Sequence, residues 1–164
     1  MNMYFHLRAV PPPALRNSAN WMRRLFEDDS EAVRLRVRGH REGVLDRRYL
    51  DHDLLYAGVP PHGAVDGPRT DVVLGGRPVF PADPDRPPFL TLTAEEVDRV
   101  AGYLASADFE VLWALARETL LPGRDEDGAE SGTRAAFESA HRDLTAFYGQ
   151  SARHGDAVVK WLVL

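Results

Sequence analysis

The sequence predicts a single α+β domain over residues 1–164, with a small sheet that includes an N-terminal and a C-terminal strand and several helices packed against it. Three observations carry this expectation. Residues 3–10 are apolar-rich, with Met3, Phe5 and Leu7 to one side, and stop at Pro11-Pro12-Pro13, which have no N–H to extend a ladder. Residues 157–164 are apolar almost without a break, as in a strand buried on both faces and therefore central. Between these ends, apolar residues mostly recur at helical spacing.

Taken in order, a helix is expected after the prolines, over about 13–27, because Leu15, Ala19, Met22 and Phe26 recur at helical spacing and Asp28-Asp29 closes the run. Residues 31–38 fit two patterns: Val33, Leu35 and Val37 alternate like a strand, while Val33, Val37 and Val44 share a helical face. A helix with Ser30 as N-cap and Glu31 near its positive end is the expectation. Residues 45–57 form the next expected helix, ended by Gly58 at the position where glycine takes the left-handed conformation without steric cost.

Between residues 59 and 88 lie eight prolines and four glycines, a loop composition in which only Val72 to Leu74 reads as a short strand. A loop this long in a compact domain is usually functional, and this one is expected to cover a cleft. Thr93-Ala94-Glu95-Glu96 has the spacing of a capping box and should start a helix with Val97, Val100, Ala101 and Leu104 inward. Asp108 can cap the following helix, with Val111, Leu112, Leu115, Thr119 and Leu120 as its face and Pro122-Gly123 as its stop. Residues 124–132 read as an acidic, solvated loop. The longest helix is expected over about 133–154, where Phe137, Ala140, His141, Leu144, Phe147, Tyr148 and Ala152 trace one stripe to Gly155.

Composition narrows the function. With 44% hydrophobic and 27% charged residues the chain is an ordinary folding domain. Twenty basic against 25 acidic residues leave a net charge of −5, with no excess to neutralise a phosphate backbone, so nucleic acid is not an expected partner. Every basic residue is arginine except Lys160, a bias that fits codon usage better than bidentate recognition. Without cysteine there is no disulfide, thiolate nucleophile or iron–sulfur ligation. The N-terminus lacks the pattern of a secretory signal and no apolar run approaches membrane-spanning length, so a soluble, cytoplasmic protein with no membrane partner is expected.

The familiar catalytic signatures do not appear. Val73-Leu74-Gly75-Gly76-Arg77-Pro78 sets glycines behind an apolar stretch, but a phosphate cradle needs a helix start where Pro78 stands. There is no G-x-S-x-G elbow and no H-E-x-x-H. The six histidines show no i, i+4 pair, so neither a metal nor a cofactor is expected. Asp51-His52-Asp53 offers the right groups, but successive helical side chains fan apart and cannot grip one ion. What shares a helical face is Asp46, Tyr49, Asp53 and Tyr56, at spacings of three, four and three. These four are the candidate ligand contacts; the alternative is a half-buried helix whose tyrosines pack and whose acids face water.

Four stretches together resemble one family, the small bacterial YfbM-like proteins of unknown function. They are Met1-Asn2-Met3-Tyr4, Leu45-Asp46-Arg47-Arg48-Tyr49 with Leu54-Leu55-Tyr56-Ala57-Gly58, Leu92-Thr93-Ala94-Glu95-Glu96-Val97, and Phe147-Tyr148 with Gly155-Asp156-Ala157-Val158-Val159-Lys160-Trp161-Leu162. Their order and spacing span almost the whole chain. The resemblance implies an α+β domain and no activity. Where the family carries Trp and, four residues on, His, this chain has Tyr49 and Asp53, which favours packing or ligand contact over imidazole chemistry. The function expected is a non-catalytic binding or interaction module for an unknown protein or small molecule, acting through the Tyr49 helix, the 59–88 loop and the aromatic end of the long helix. The rival is a hydrolase or transferase using Asp46 or Asp53 with Tyr49 as acid or base.

Overall fold

The computed structural model describes residues 3–27, 29–121 and 129–164. Its centre is a five-stranded sheet in the order β2-β1-β5-β4-β3. The strands are β1 (Tyr4–Val10), β2 (Glu42–Leu45), β3 (Arg77–Val79), β4 (Phe89–Leu92) and β5 (Ala157–Val163), and every pairing is antiparallel. The expectation of an α+β fold with both terminal strands in one sheet holds. β5 takes the middle, with Lys160 opposite Leu7 on one side and Leu90 on the other. A strand with two neighbours and two covered faces meets no water, which is why residues from Ala157 to Trp161, the charged Lys160 included, are all buried.

Alternation along β5 divides the core in two. Val158 points to the face covered by α3 (Tyr49–Ala57), α5 (Ala94–Ser106), α6 (Phe109–Leu120) and α7 (Ala129–Arg153), where Leu55, Val97, Leu112 and Phe147 pack. Ala157, Val159 and Trp161 point the other way, onto Met22 of α1 (Ala19–Leu25) and onto Phe89, whose ring stacks on Trp161 at 4.7 Å. Burying a ring such as Phe89 completely is worth roughly 2–3 kcal/mol, so this smaller core is enough to hold α1 in place. The remaining helices are α2 (Ser30–Arg38) and the single turn α4 (Pro68–Asp71).

Several elements differ from expectation, each for a local reason. The first expected helix is two pieces, a 3-10 turn at Pro12–Arg16 and then α1, because Ser18 breaks the run and caps the second piece through the Trp21 N–H. α2 forms, but Asp29 is its cap, accepting from the Ala32 N–H. The expected helix over 45–57 starts only at Tyr49. Residues before it form β2, held because the buried Glu42 takes His6 on one oxygen and Arg36 on the other, pinning α2 to the sheet edge. Val72 to Leu74 is not a strand: the turn there is buried, and β3 lies just beyond it, with Pro78 at an edge where a missing N–H discourages further pairing.

β4 was not expected at all. On α6 the buried face is Phe109, Leu112, Trp113, Ala116 and Leu120, while Val111 and Leu115 are exposed. Residues 129–132 of the expected acidic loop belong to α7. The rest of that loop, the Pro122-Gly123 stop, Met1-Asn2 and Asp28 lie outside the described residues. The capping box at Thr93 and Glu96 and the left-handed Gly58 at φ 74° are as expected. Among the described residues, no helix is long and apolar enough to cross a membrane.

Candidate functional site

The four candidate contacts do not meet in one hollow. Asp46 precedes α3, its carboxylate accepting the Arg48 N–H in a tight turn. Tyr49, half-buried, lies flat against Phe5 with ring centroids 5.4 Å apart. Asp53 is buried and accepts the Leu74 N–H at 3.2 Å. Tyr56, also buried, shares a hydrogen bond of 2.8 Å between its hydroxyl and Nδ1 of His141, and burial holds that imidazole below its usual range. The Asp51-His52-Asp53 triplet fans out as helical geometry requires. Asp51 pairs with Arg48, His52 packs on the Phe137 ring, and Asp53 turns inward. Among the described residues no three His, Asp or Glu side chains are close enough to hold a metal.

Asp53 leads instead to a cluster that the periodicity did not mark. Backbone at residues 71–74 turns sharply through the core, with Val72 and Val73 fully buried, so its polar groups must find partners other than water. Three elements supply them. Lys160 of β5 donates to the Asp71 carbonyl at 2.7 Å; Tyr148 of α7 donates to the Val72 carbonyl at 2.7 Å; Asp53 of α3 accepts from Leu74. Lys160 is completely buried, and that burial draws its amine down to about 7 against the opposing pull of Asp71, Asp53 and Glu96. Burial raises Asp53, opposed by its bond from Leu74 and by Lys160, and raises Tyr148 far above the usual phenol range.

The outer side of the same turn forms a cleft. Asp71 gives its carbonyl to Lys160, and the residue lines an opening of about 370 Å³ together with Asp66, Gly67, Pro68, Gly76, Glu96 and Arg99. Glu96 and Arg99 stand three residues apart on α5 and so share a face. Glu96 is further fixed because its carboxylate accepts the Thr93 N–H in the capping box. Gly76 has φ 119°, and a Cβ there would sit 2.8 Å from the Thr91 carbonyl oxygen; only glycine lets the cleft wall approach β4 this closely. Burial raises the Asp71 carboxyl, with Lys160 and Arg99 opposing and Glu96 and Asp66 adding to the rise.

Two other openings are more apolar. One of about 350 Å³ runs between β2 and α7, and one of about 310 Å³ lies between α3 and α6 beside the exposed Leu115. Neither gathers titratable groups as the first does. Sequence reasoning reached this region only through the 59–88 loop and the aromatic end of the long helix, and it did not name Asp66, Asp71, Glu96, Arg99 or Lys160 as contacts, although one signal was present: the only lysine of the chain stands in the middle of its most apolar strand.

Comparison with known proteins adds family and fold. Residues 1–161 match a family model described as a domain of unknown function, DUF1877. No curated protein matches the chain. Among solved structures, the chain is similar to YfbM from Escherichia coli, a protein of unknown function. That match has a TM-score of 0.60 and 17% identity, and covers 99% of this chain and 100% of the other.

Proposed function

The chain belongs to the family described as a domain of unknown function, DUF1877, and from the geometry of its cleft we propose that it is a non-catalytic binding module for a small molecule carrying both an amine and a carboxylate. One observation carries this reading: three acidic residues, Asp66, Asp71 and Glu96, line the same opening as Arg99. An ammonium fits among the carboxylates, and a ligand carboxylate suits the planar fork of arginine. The volume lies in the range of small-molecule sites. The non-catalytic part of the reading rests on how the reactive groups are used, since the Lys160 amine, the Tyr148 hydroxyl and the Asp53 carboxylate each hold backbone of the buried turn.

A second reading keeps one supporting observation. Asp71 lines the cleft and its carboxyl is raised by burial, as a general acid in a hydrolase or transferase would be. Asp71 suits that role better than Asp46 or Asp53 with Tyr49, whose side chains engage a turn, a buried N–H and the Phe5 ring.

Calorimetric titration with free amino acids, with simple amines and with simple carboxylates separates the readings. Amino acids bind and the single-charge compounds bind more weakly; Asp71→Asn and Arg99→Ala each reduce affinity at least about tenfold, or about 1.4 kcal/mol. Binding unaffected by both substitutions removes the cleft from consideration. Chemical conversion of a bound compound, lost in Asp71→Asn, establishes the enzyme instead.

A further inference from the structure

We propose that residues 67–76, the wall of the cleft, form a gate over Lys160 that protonation of the buried amine drives open. Residue 71 belongs to both sides: its carbonyl accepts from the buried lysine amine at 2.7 Å, and the residue also lines the cleft. The turn is thus the partition between a solvent-accessible opening and a lysine with no exposed surface. The partition is held mainly by side chains, one each from α3, α7 and β5, rather than by a regular ladder. Gly67 and Gly76 bound it.

The groups around the amine come from four helices. α3 presents Asp53, α4 presents Asp71, α5 presents Glu96, and α7 presents Tyr148, itself coupled to Tyr56. Asp66 and Arg99 act on Asp71 from the cleft. An ammonium in this place is poorly solvated, whereas opening the turn brings water to it and restores its ordinary value of 10.5, against about 7 when closed. The open state therefore binds the proton more tightly, and the opening equilibrium grows as pH falls from about 10 toward 7 and levels off below that. Protonating Asp53 or Asp71, both raised by burial, has the opposite sign and favours the closed turn, which flattens the rise at its acid end.

The consequence for ligand binding rests on the cleft being the ligand site, but the test needs no ligand. Native-state hydrogen exchange, corrected for intrinsic rates, is followed at the amides of Val73, Leu74 and Gly76 and at those of α5 and α7. Between pH 9 and pH 6 the opening constant of the turn rises on the order of a hundredfold, while the helix amides hold steady, and Lys160→Met abolishes the rise. A rise shared by all core amides, no rise, or an equal rise in Lys160→Met overturns the gate. Should Lys160→Met not fold, the wild-type chain still decides the matter, since its single lysine gives one side-chain amine signal by NMR. A midpoint near 7 is expected, and one near 10.5 overturns the proposal.

Discussion

His52 sits with its ring centroid 4.3 Å from that of Phe137 and is nearly inaccessible to water. Burial draws its pKa down to about 4, although Asp46 and Asp51 pull the other way; Arg48 adds to the fall. The folded value lies below the ordinary 6.5, so the unfolded chain takes up the proton first as the solution is acidified. The resulting stability is present above about pH 6.5 and is lost as pH falls toward 4. Urea unfolding at pH 7 and pH 5 should register a loss of roughly 2 kcal/mol from this group, and His52→Phe should flatten the difference while keeping the stack. Tyr56→Phe removes the hydrogen-bond partner of a buried imidazole and should cost about 1–2 kcal/mol in the same measurement. Sequence reasoning found Asp53 and Tyr56 because helical spacing puts them on one face, but it missed their shared reason for being there. A buried polar residue is chosen by a partner far along the chain, Leu74 for Asp53 and His141 for Tyr56, and periodicity within the helix does not record that partner.

Helix ends were legible where their chemistry is local. Thr93 and Glu96 exchange bonds with each other's backbone, and Gly58 takes the one conformation its neighbours would resist. Thr93→Ala removes the hydroxyl that accepts the Glu96 N–H and should lower stability by about 1 kcal/mol in thermal unfolding. Gly76→Ala combines a positive φ with a backbone approach of 2.8 Å and should cost at least about 2 kcal/mol in chemical unfolding. Short strands were not legible. β2, β3 and β4 have three or four residues each, too few for alternation to rise above chance, and β2 carries a buried glutamate where a strand pattern expects an apolar side chain. α6 failed differently: it is apolar on two sides, so Val111 and Leu115 competed with Trp113 and Ala116 for the inward face. The neighbouring helices α3 and α7 settle that competition, and they are outside the helix.

Across the whole molecule, the two strands that were clearest in the sequence lie side by side in the middle of the sheet, and everything less clear is arranged around them. YfbM from Escherichia coli keeps this architecture at 17% identity, as expected if placement of apolar faces rather than particular residues sets the fold. Deleting residues 157–164 removes the strand to which both β1 and β4 are bonded, and the truncated chain should lose cooperative thermal unfolding by circular dichroism. The position of β5 also bears on how the protein is made. A nascent chain emerges from its N-terminal end, yet β1 has its principal partner in a strand more than 140 residues later, separated from it by every helix. Until Val163 has cleared the ribosome the sheet is limited to two unjoined strand pairs, β1 with β2 and β3 with β4, so its completion waits on β5 and offers chaperones an interval in which to bind.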